Sequence, residues 1–272
     1  MKSITFGNMK GGTGKTTSSS MVSFCLSKLG YKTLLVDMDP QGNATSLMMK
    51  TQTLNNNTII AFEKTLMSAI ADNDLQSIVT NIMPNLYLLP SYADFTSYPR
   101  FAEELYKDNY QKRVYHFKNL LENVVSDFDF VIFDVPPTVS LYLESALISS
   151  SYAIIVMQTQ EWSLDGAKTF DLYLDELSEA YKHHIEAIGV MPVLIKNRSQ
   201  VEKKVLNEAH DTFGKENVFN TIIRNMERIK RYSLAGISDP ENETIITDIH
   251  DRRAHKEYMD LTKEILKRVE EY

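Results

Sequence analysis

The feature that most limits what this chain can fold into lies at its start. Residues 4–24 read ITFGNMKGGTGKTTSSSMVSF, and three glycines and two lysines fall between positions 10 and 15. A short apolar run at 4–6 precedes the glycines. A helical pattern over 15–29 follows them, with Lys28 in its last turn and Gly30 just past its end. Glycines without a Cβ let the backbone wrap tightly, so the N–H groups of Gly11, Gly12, Thr13 and Gly14 can turn toward phosphate oxygens. The helix beginning at Lys15 adds the partial positive charge of its N-terminus. Lys15 then neutralises β- and γ-phosphates, the Thr16 hydroxyl ligates Mg²⁺, and Thr17 bonds the α-phosphate. The strict pattern G-x-x-x-x-G-K-[ST] is not met, because Met9 stands where its first glycine belongs. One lysine is thereby explained, and Lys10, ahead of the glycines, is not.

Two other readings of the loop exist. A dinucleotide fingerprint would use Gly12 and Gly14 with Asp37 as the ribose acid, but Thr17 occupies its third glycine position. A ligand-free glycine turn is the second. The lysine directly after Gly14 suits a terminal phosphate better than either.

Short apolar runs at 4–6, 33–36, 86–89, 130–133, 153–157, 188–195 and 218–223 alternate with helical patterns. The helices are read at 15–29, 58–72, 99–125, 140–149, 165–182, 199–213 and 254–270. Several strands are continuous Val, Ile, Leu and Phe, as strands buried on both faces are. The alternation predicts an α/β fold, a doubly wound parallel sheet with helices on both faces. No linker, repeat or low-complexity run divides the 272 residues, so we read residues 1–272 as one domain.

Two further segments complete a phosphate-handling site. Residues 34–45, LLVDMDPQGNAT, end a strand in Asp37 and Asp39, one residue apart and on the same side at the carboxyl edge of the sheet. Residues 128–138, FDFVIFDVPPT, end a buried strand in Asp134. Such an acid is the form expected of one that holds Mg²⁺ through water in phosphate-loop enzymes.

Composition removes other classes. The net charge of −7 excludes a globally basic nucleic-acid binder but not a local basic patch. The single cysteine, Cys25, cannot form an internal disulfide, and the six histidines show no metal spacing. No apolar run approaches the ~20 residues a membrane span needs. The N-terminus reads as a strand and not as a signal peptide, which predicts a cytoplasmic protein.

These residues resemble a known family. Positions 10–17, KGGTGKTT, are similar to the deviant Walker A box of the ParA/MinD ATPases, in which an extra lysine precedes the glycines. VDMDPQGNAT and FDVPPT resemble the second box and the Walker B region of the ParA partition ATPases. QTQEWSLDGAKTF at 158–170 and VFNTIIRN at 218–225 resemble later segments of the same proteins. The resemblance implies that Lys10 acts in trans, on the nucleotide of the partner in an ATP-bound sandwich homodimer, while Lys15 acts in cis. It assigns Asp39 to orienting the attacking water, Thr16 to direct Mg²⁺ coordination, and Asp37 and Asp134 to water-mediated contacts with the metal. Gln41 to Asn43 form a switch that senses the γ-phosphate, and Arg224 and Asn225 belong to a nucleotide-base loop.

Branches of the family can be told apart. One cysteine cannot hold an iron–sulfur cluster. The tail carries only Tyr272, unlike the tyrosine-rich tails of related kinases, and LIKNRS is no guanine motif, so ATP is favoured over GTP. A MinD-type positioning ATPase would need a basic C-terminal helix for anionic lipid. Here Asp260, Glu264, Glu270 and Glu271 oppose lipid, and the apolar stripe of Leu261, Ile265, Leu266 and Val269 reads as packed on the sheet. DNA partition remains. Two basic clusters are candidates for sequence-independent DNA contact: Lys196, Arg198, Lys203 and Lys204, and Arg228, Lys230 and Arg231 beside Arg224. No DNA-reading helix-turn-helix precedes the first box, so a separate centromere-binding, ParB-like protein is the implied partner. A nucleoid-associated location in the cytoplasm follows from that reading.

Overall fold

The computed structural model describes residues 1–56, 62–195, 199–242, 245 and 247–271. Among the described residues, eight strands form one sheet. They are β1 (Lys2–Gly7), β2 (Thr33–Asp37), β3 (Thr80–Met83), β4 (Leu86–Leu89), β5 (Phe130–Asp134), β6 (Tyr152–Gln158), β7 (Glu186–Ile195) and β8 (Ile223–Arg224). Their spatial order is β3-β4-β2-β5-β1-β6-β7-β8, and every neighbouring pair is parallel except β3 with β4. The antiparallel edge departs from the all-parallel expectation. Its cause is local: Asn85 takes a left-handed φ of +63°, which turns the chain straight back after Met83.

Helices cover both faces. On one lie α1 (Lys15–Lys28), α2 (Asn43–Asn56), α9 (Glu227–Ala235) and α10 (Ile249–Glu271), packed over Ile4, Phe6, Leu35 and Ile132. On the other lie α3 (Leu66–Ala71), α4 (Tyr98–Tyr106), α5 (Tyr110–Val125), α6 (Leu141–Ile148), α7 (Glu161–Tyr181) and α8 (Gln200–Phe213), packed over Leu34, Val36, Val131 and Phe133. Adjacent residues of β2 and β5 thus enter opposite cores, which is why their sequences are apolar without alternation.

Several expected elements shift. The helix read at 99–125 breaks in two, because Lys107 takes a φ of +47° and the Asn109 side chain caps a new start by accepting from Lys112 N–H. Within the helix read at 58–72, only Leu66–Ala71 is helical, and residues 57–61 lie outside the described residues. Of the strand read at 218–223, Val218 makes an isolated bridge to Val190, and pairing resumes only at Ile223. Helix α2 has no counterpart in the sequence pattern. Its apolar positions Ala44, Leu47, Met48 and Thr51 do keep helical spacing, but Asn and Thr dilute the signal.

Strand β1 enters the sheet centre, with β2 on one side of it and β6–β7 on the other, so its carboxyl end opens at the topological switch of the sheet. Close packing fixes that end. A Cβ on Gly7 would lie 1.9 Å from Cζ of the buried Phe170 on α7. Gly7→Ala is therefore expected to destabilise the fold by about 1–3 kcal/mol or more through overpacking. Urea unfolding measures this, and Phe170→Leu in the same chain should recover part of the loss. A neutral Gly7→Ala would mean that α7 does not press on β1.

Candidate functional site

The loop joining β1 to α1 is shaped by its glycines. Gly12 and Gly14 have φ of +75° and +91°, in the left-handed region where a side chain is strained. Gly14 stands at the N-cap of α1, and no side chain there satisfies the first N–H groups of the helix. The loop is held open from outside. Asn8 donates through Nδ2 to Val156 O (2.9 Å) and Ser163 O (3.2 Å) and accepts from Lys10 N–H at 2.7 Å. Gln158 Nε2 donates to Gly12 O at 2.5 Å.

The two lysines diverge. Lys15 is 6 % exposed, and its ammonium donates to Asn8 O (3.3 Å) and Lys10 O (3.1 Å), inside the curl of the loop. Burial lowers its pKa, while Asp134 and Asp39 pull it back up. Lys10 goes the other way. Its ammonium stands 5.5 Å from the centroid of the Trp162 ring, on the first turn of α7.

The three acids also differ. Asp37 is fully buried at the end of β2, where Oδ2 accepts from Thr45 N–H and Thr45 Oγ1 (2.8 Å each) and Oδ1 accepts from Asp39 N–H at 3.2 Å. It secures the start of α2 as a distant cap, a role its position in sequence does not suggest. Asp134, on the neighbouring strand and in register with Asp37, is fully buried too. Its Oδ1 accepts from Ser19 Oγ at 3.2 Å, and its Oδ2 has no hydrogen-bond partner among the described residues. Burial and then the Asp37 charge raise its pKa; the Thr16 hydroxyl and Lys15 offset only part of this. An orphaned, buried carboxylate oxygen beside Thr16 fits a site that a hydrated divalent cation completes. Asp39 is half-exposed in the turn after β2, where Oδ1 accepts from Gln41 N–H at 2.9 Å and the backbone carbonyl accepts from Gly42 N–H.

Around the loop lies a cleft of about 760 Å³. Residues 11–18 form one wall, Asp39, Asn43, Ser46 and Lys50 a second, and Asn225, Lys230 and Ser233 a third. Lys15, Thr16 and Thr17 line it, Asp37 and Asp134 lie buried off its surface, and Lys10 is not part of its lining.

The remaining site residues scatter. Asn225 lines the cleft, but the Arg224 side chain, read as a base contact, pairs with Glu257 of α10 at 2.7 Å. Lys203 and Lys204 are exposed on α8, along a shallow groove shared with Glu208 and Asp211. Lys196 and Arg198 lie outside the described residues. The second basic cluster is not an open cationic face. Arg228 pairs with Asp248 and with Asp251 (3.3 Å), and Lys230 pairs with Glu227 at 3.2 Å while also lining the cleft. Arg231 is exposed. The apolar stripe of α10 is used internally, with Leu261, Ile265 and Val269 buried in the core. No helix among the described residues is long and apolar enough to cross a membrane.

Sequence reasoning passes over Asn8, Gln158, Ser19 and Thr45. All four are polar side chains whose role lies in which distant group they reach. Only the run Ser18–Ser20, three hydroxyls on one helix after a glycine loop, carries a local hint.

Comparison with known proteins agrees with this geometry. A family model described as an AAA domain matches residues 1–187. The chain is 26 % identical to the chromosome partitioning protein ParA of Myxococcus xanthus, over 97 % of this chain and 88 % of that protein. It is 28 % identical to the sporulation initiation inhibitor protein Soj of Bacillus subtilis, over 97 % and 98 %. Among solved structures, a variant of McdA from Cyanothece in complex with ATP superposes with a TM-score of 0.79 at 18 % identity, covering 97 % and 96 % of the two chains. A plasmid partition protein from Borrelia burgdorferi superposes with a TM-score of 0.67 at 25 % identity, covering 98 % and 99 %. The glycine loop with its two lysines, the buried acids and these likenesses converge: the chain belongs to the AAA-domain family and is a ParA-type ATPase.

Proposed function

We propose that this ATPase drives DNA partition through an ATP-closed homodimer that binds DNA without sequence preference and lets go after hydrolysis. The observation that carries this reading is the divergence of the two lysines. Lys15 is buried in its own cleft, whereas the Lys10 ammonium lies outside it, on the rim. A cation that does not serve its own nucleotide is available to another.

In this reading the phosphates of ATP sit on the N–H groups of residues 11–17 with Lys15 between them, and Asn225 faces the base. Thr16 holds Mg²⁺ directly, and Asp134 and Asp37 hold its water shell. Bound there, the metal neutralises charge on the β- and γ-oxygens. Asp39, half-exposed at the cleft surface, accepts from the attacking water and aims it in line with the γ-phosphate. Two copies of the chain face each other across their clefts, each giving Lys10 to the other's phosphates, as a finger residue supplied in trans does. Lys203, Lys204 and Arg231, with Lys196 and Arg198, supply DNA phosphate contacts, and pairing doubles them. A centromere-binding, ParB-like partner triggers hydrolysis and release, and the ATP-bound protein is then nucleoid-associated.

Substitutions of the two lysines test the arrangement. Lys15→Ala should weaken ATP binding by the monomer 100-fold or more, on the order of 3 kcal/mol for removing a charge-assisted hydrogen bond from a buried site. Lys10→Ala should leave monomer affinity within a few-fold of wild type and abolish ATP-dependent dimerisation, read by nucleotide titration at low protein concentration and light scattering at high concentration. Equal damage to monomer binding would place both lysines in one site.

Asp39→Ala should bind ATP and dimerise but turn over at background rate, so it accumulates on DNA. Phosphate release and DNA co-sedimentation measure this together. Turnover at the wild-type rate would assign the water to another residue.

With about three phosphate contacts per subunit, the dimer makes about six, and its DNA affinity should fall ~10³-fold between 50 and 200 mM salt. Sedimentation with plasmid DNA and with anionic liposomes, in ATP and in ADP, gives the comparison. DNA binding equal in both nucleotides, or ATP-dependent binding to liposomes alone, would reject the partition reading.

A further inference from the structure

Trp162 is the single tryptophan of the chain, and it is 75 % exposed. It stands on the first turn of α7, beside Lys10 at the rim of the cleft. Its surroundings are built and not incidental. Gly166, one turn further along α7, lets the helix lean on the phosphate loop so closely that a Cβ there would lie 2.5 Å from Asn8 Oδ1 and 3.3 Å from both Lys10 N and Lys10 Cβ. Asn8 then ties the loop to Ser163 O, the residue after Trp162, and to Lys10 N–H. The two bonds of one amide and the missing side chain of one glycine thus set the distance from the Lys10 backbone to the indole. The ammonium ends 5.5 Å from the ring centroid, within the range where a cation is attracted to the ring's negative face.

We infer that Trp162 is the positioning residue for Lys10: it holds the lysine extended at the rim of the cleft, outside its own nucleotide site, and is itself covered by the second copy of the chain when ATP closes the dimer. This rests on the proposal that Lys10 acts in trans. A free lysine loses the freedom of four side-chain torsions when it docks on a partner's phosphates. An indole that already restrains it removes part of that cost, and the indole's weak hold yields to the far larger charge of the triphosphate. Because a two-fold dimer presents the same patch twice, each indole enters the interface along with the lysine it carried.

The 272-residue chain reports on this directly through its one tryptophan. In the nucleotide-free monomer, Lys10→Met should change the Trp162 emission, since the ammonium leaves the ring face. An emission spectrum identical to wild type would overturn the contact. On adding ATP, but not ADP, the wild-type emission should shift to the blue as the indole is covered. Dimerisation by light scattering without any emission change would leave the trans sandwich standing and sink the role of Trp162. Absence of an ATP dimer altogether would instead sink the sandwich itself.

The second arm separates a cation perch from a plain apolar contact. Trp162→Phe should keep the ATP-dependent dimerisation constant within about threefold of wild type. Trp162→Leu, apolar but without a π face, should weaken it tenfold or more, with monomer affinity for a fluorescent ATP analogue unchanged in both variants. If Phe and Leu are equivalent, the indole is an ordinary apolar contact and the inference fails. Loss of monomer nucleotide affinity in Trp162→Leu would also overturn it, because the indole would then be serving its own cleft.

Discussion

Much of this site depends on the side chain of Asn8. One amide, buried where β1 ends, joins three elements: it donates to β6 at Val156 and to α7 at Ser163 and accepts from the loop at Lys10. A phosphate loop needs its N–H groups pointing inward before the phosphate arrives, and a chain of glycines has no preference for that state. Asn8 supplies it from one side and Gln158, through Gly12 O, from the other. Lys15 spans the interior by bonding the carbonyls of residues 8 and 10, so the loop holds its shape around a cation whose natural partner is a phosphate.

A second chain of contacts leads away from the cleft. Asp37 fixes Thr45, and Thr45 Oγ1 accepts from Ser91 N–H at 2.8 Å, so the turn that carries Asp39 is anchored at both ends. From there α2 runs to α9. Lys50 Nζ donates to Ser233 O at 2.7 Å, Thr51 Oγ1 accepts from Ile237 N–H at 2.9 Å, and a Cβ on Gly236 would lie 2.5 Å from the Lys50 carbonyl carbon. The turn that carries Asp39 and the helix that bears Arg228, Lys230 and Arg231 are therefore packed as one body.

How much of this the sequence held follows from what each feature depends on. The glycine loop, the strand-ending acids and the buried strands are local, and each shows itself in a run of fewer than a dozen residues. Asp37 is legible as buried chemistry at a strand end, but its partner Thr45 lies eight residues on, and nothing local says the two meet. The edge strand β3 escapes the sequence pattern because four residues, TNIM, carry too little of it to be read as a strand. Helix α9 reads as a cluster of charge, yet its Ile229 and Tyr232 also pack into the core. Charge in a sequence has no sign of its counter-charge: the acids that neutralise Arg224 and Arg228 stand on or beside α10, 20 to 33 residues away.

That neutralisation bears on how an acidic chain could hold DNA. Asp251 is 1 % exposed and is itself bonded by Tyr232 and Ser238, so it cannot leave Arg228 for solvent without stranding a buried charge. A DNA phosphate would have to compete with it, and Arg228 is better understood as the pin that joins α9 to the start of α10. Arg224 is held in the same way by Glu257, whose other oxygen accepts from the Arg224 backbone N–H. The cations with no ion pair among the described residues of these two clusters are Lys203 and Lys204 on α8 and Arg231 on α9, helices that pack on opposite faces of the sheet. Few free cations per subunit mean weak attraction of one subunit for a polyanion. On the proposed reading this weakness is what makes the protein switchable, since only a closed pair gathers enough of them to stay on DNA, and opening the pair at Lys10 is sufficient to release it.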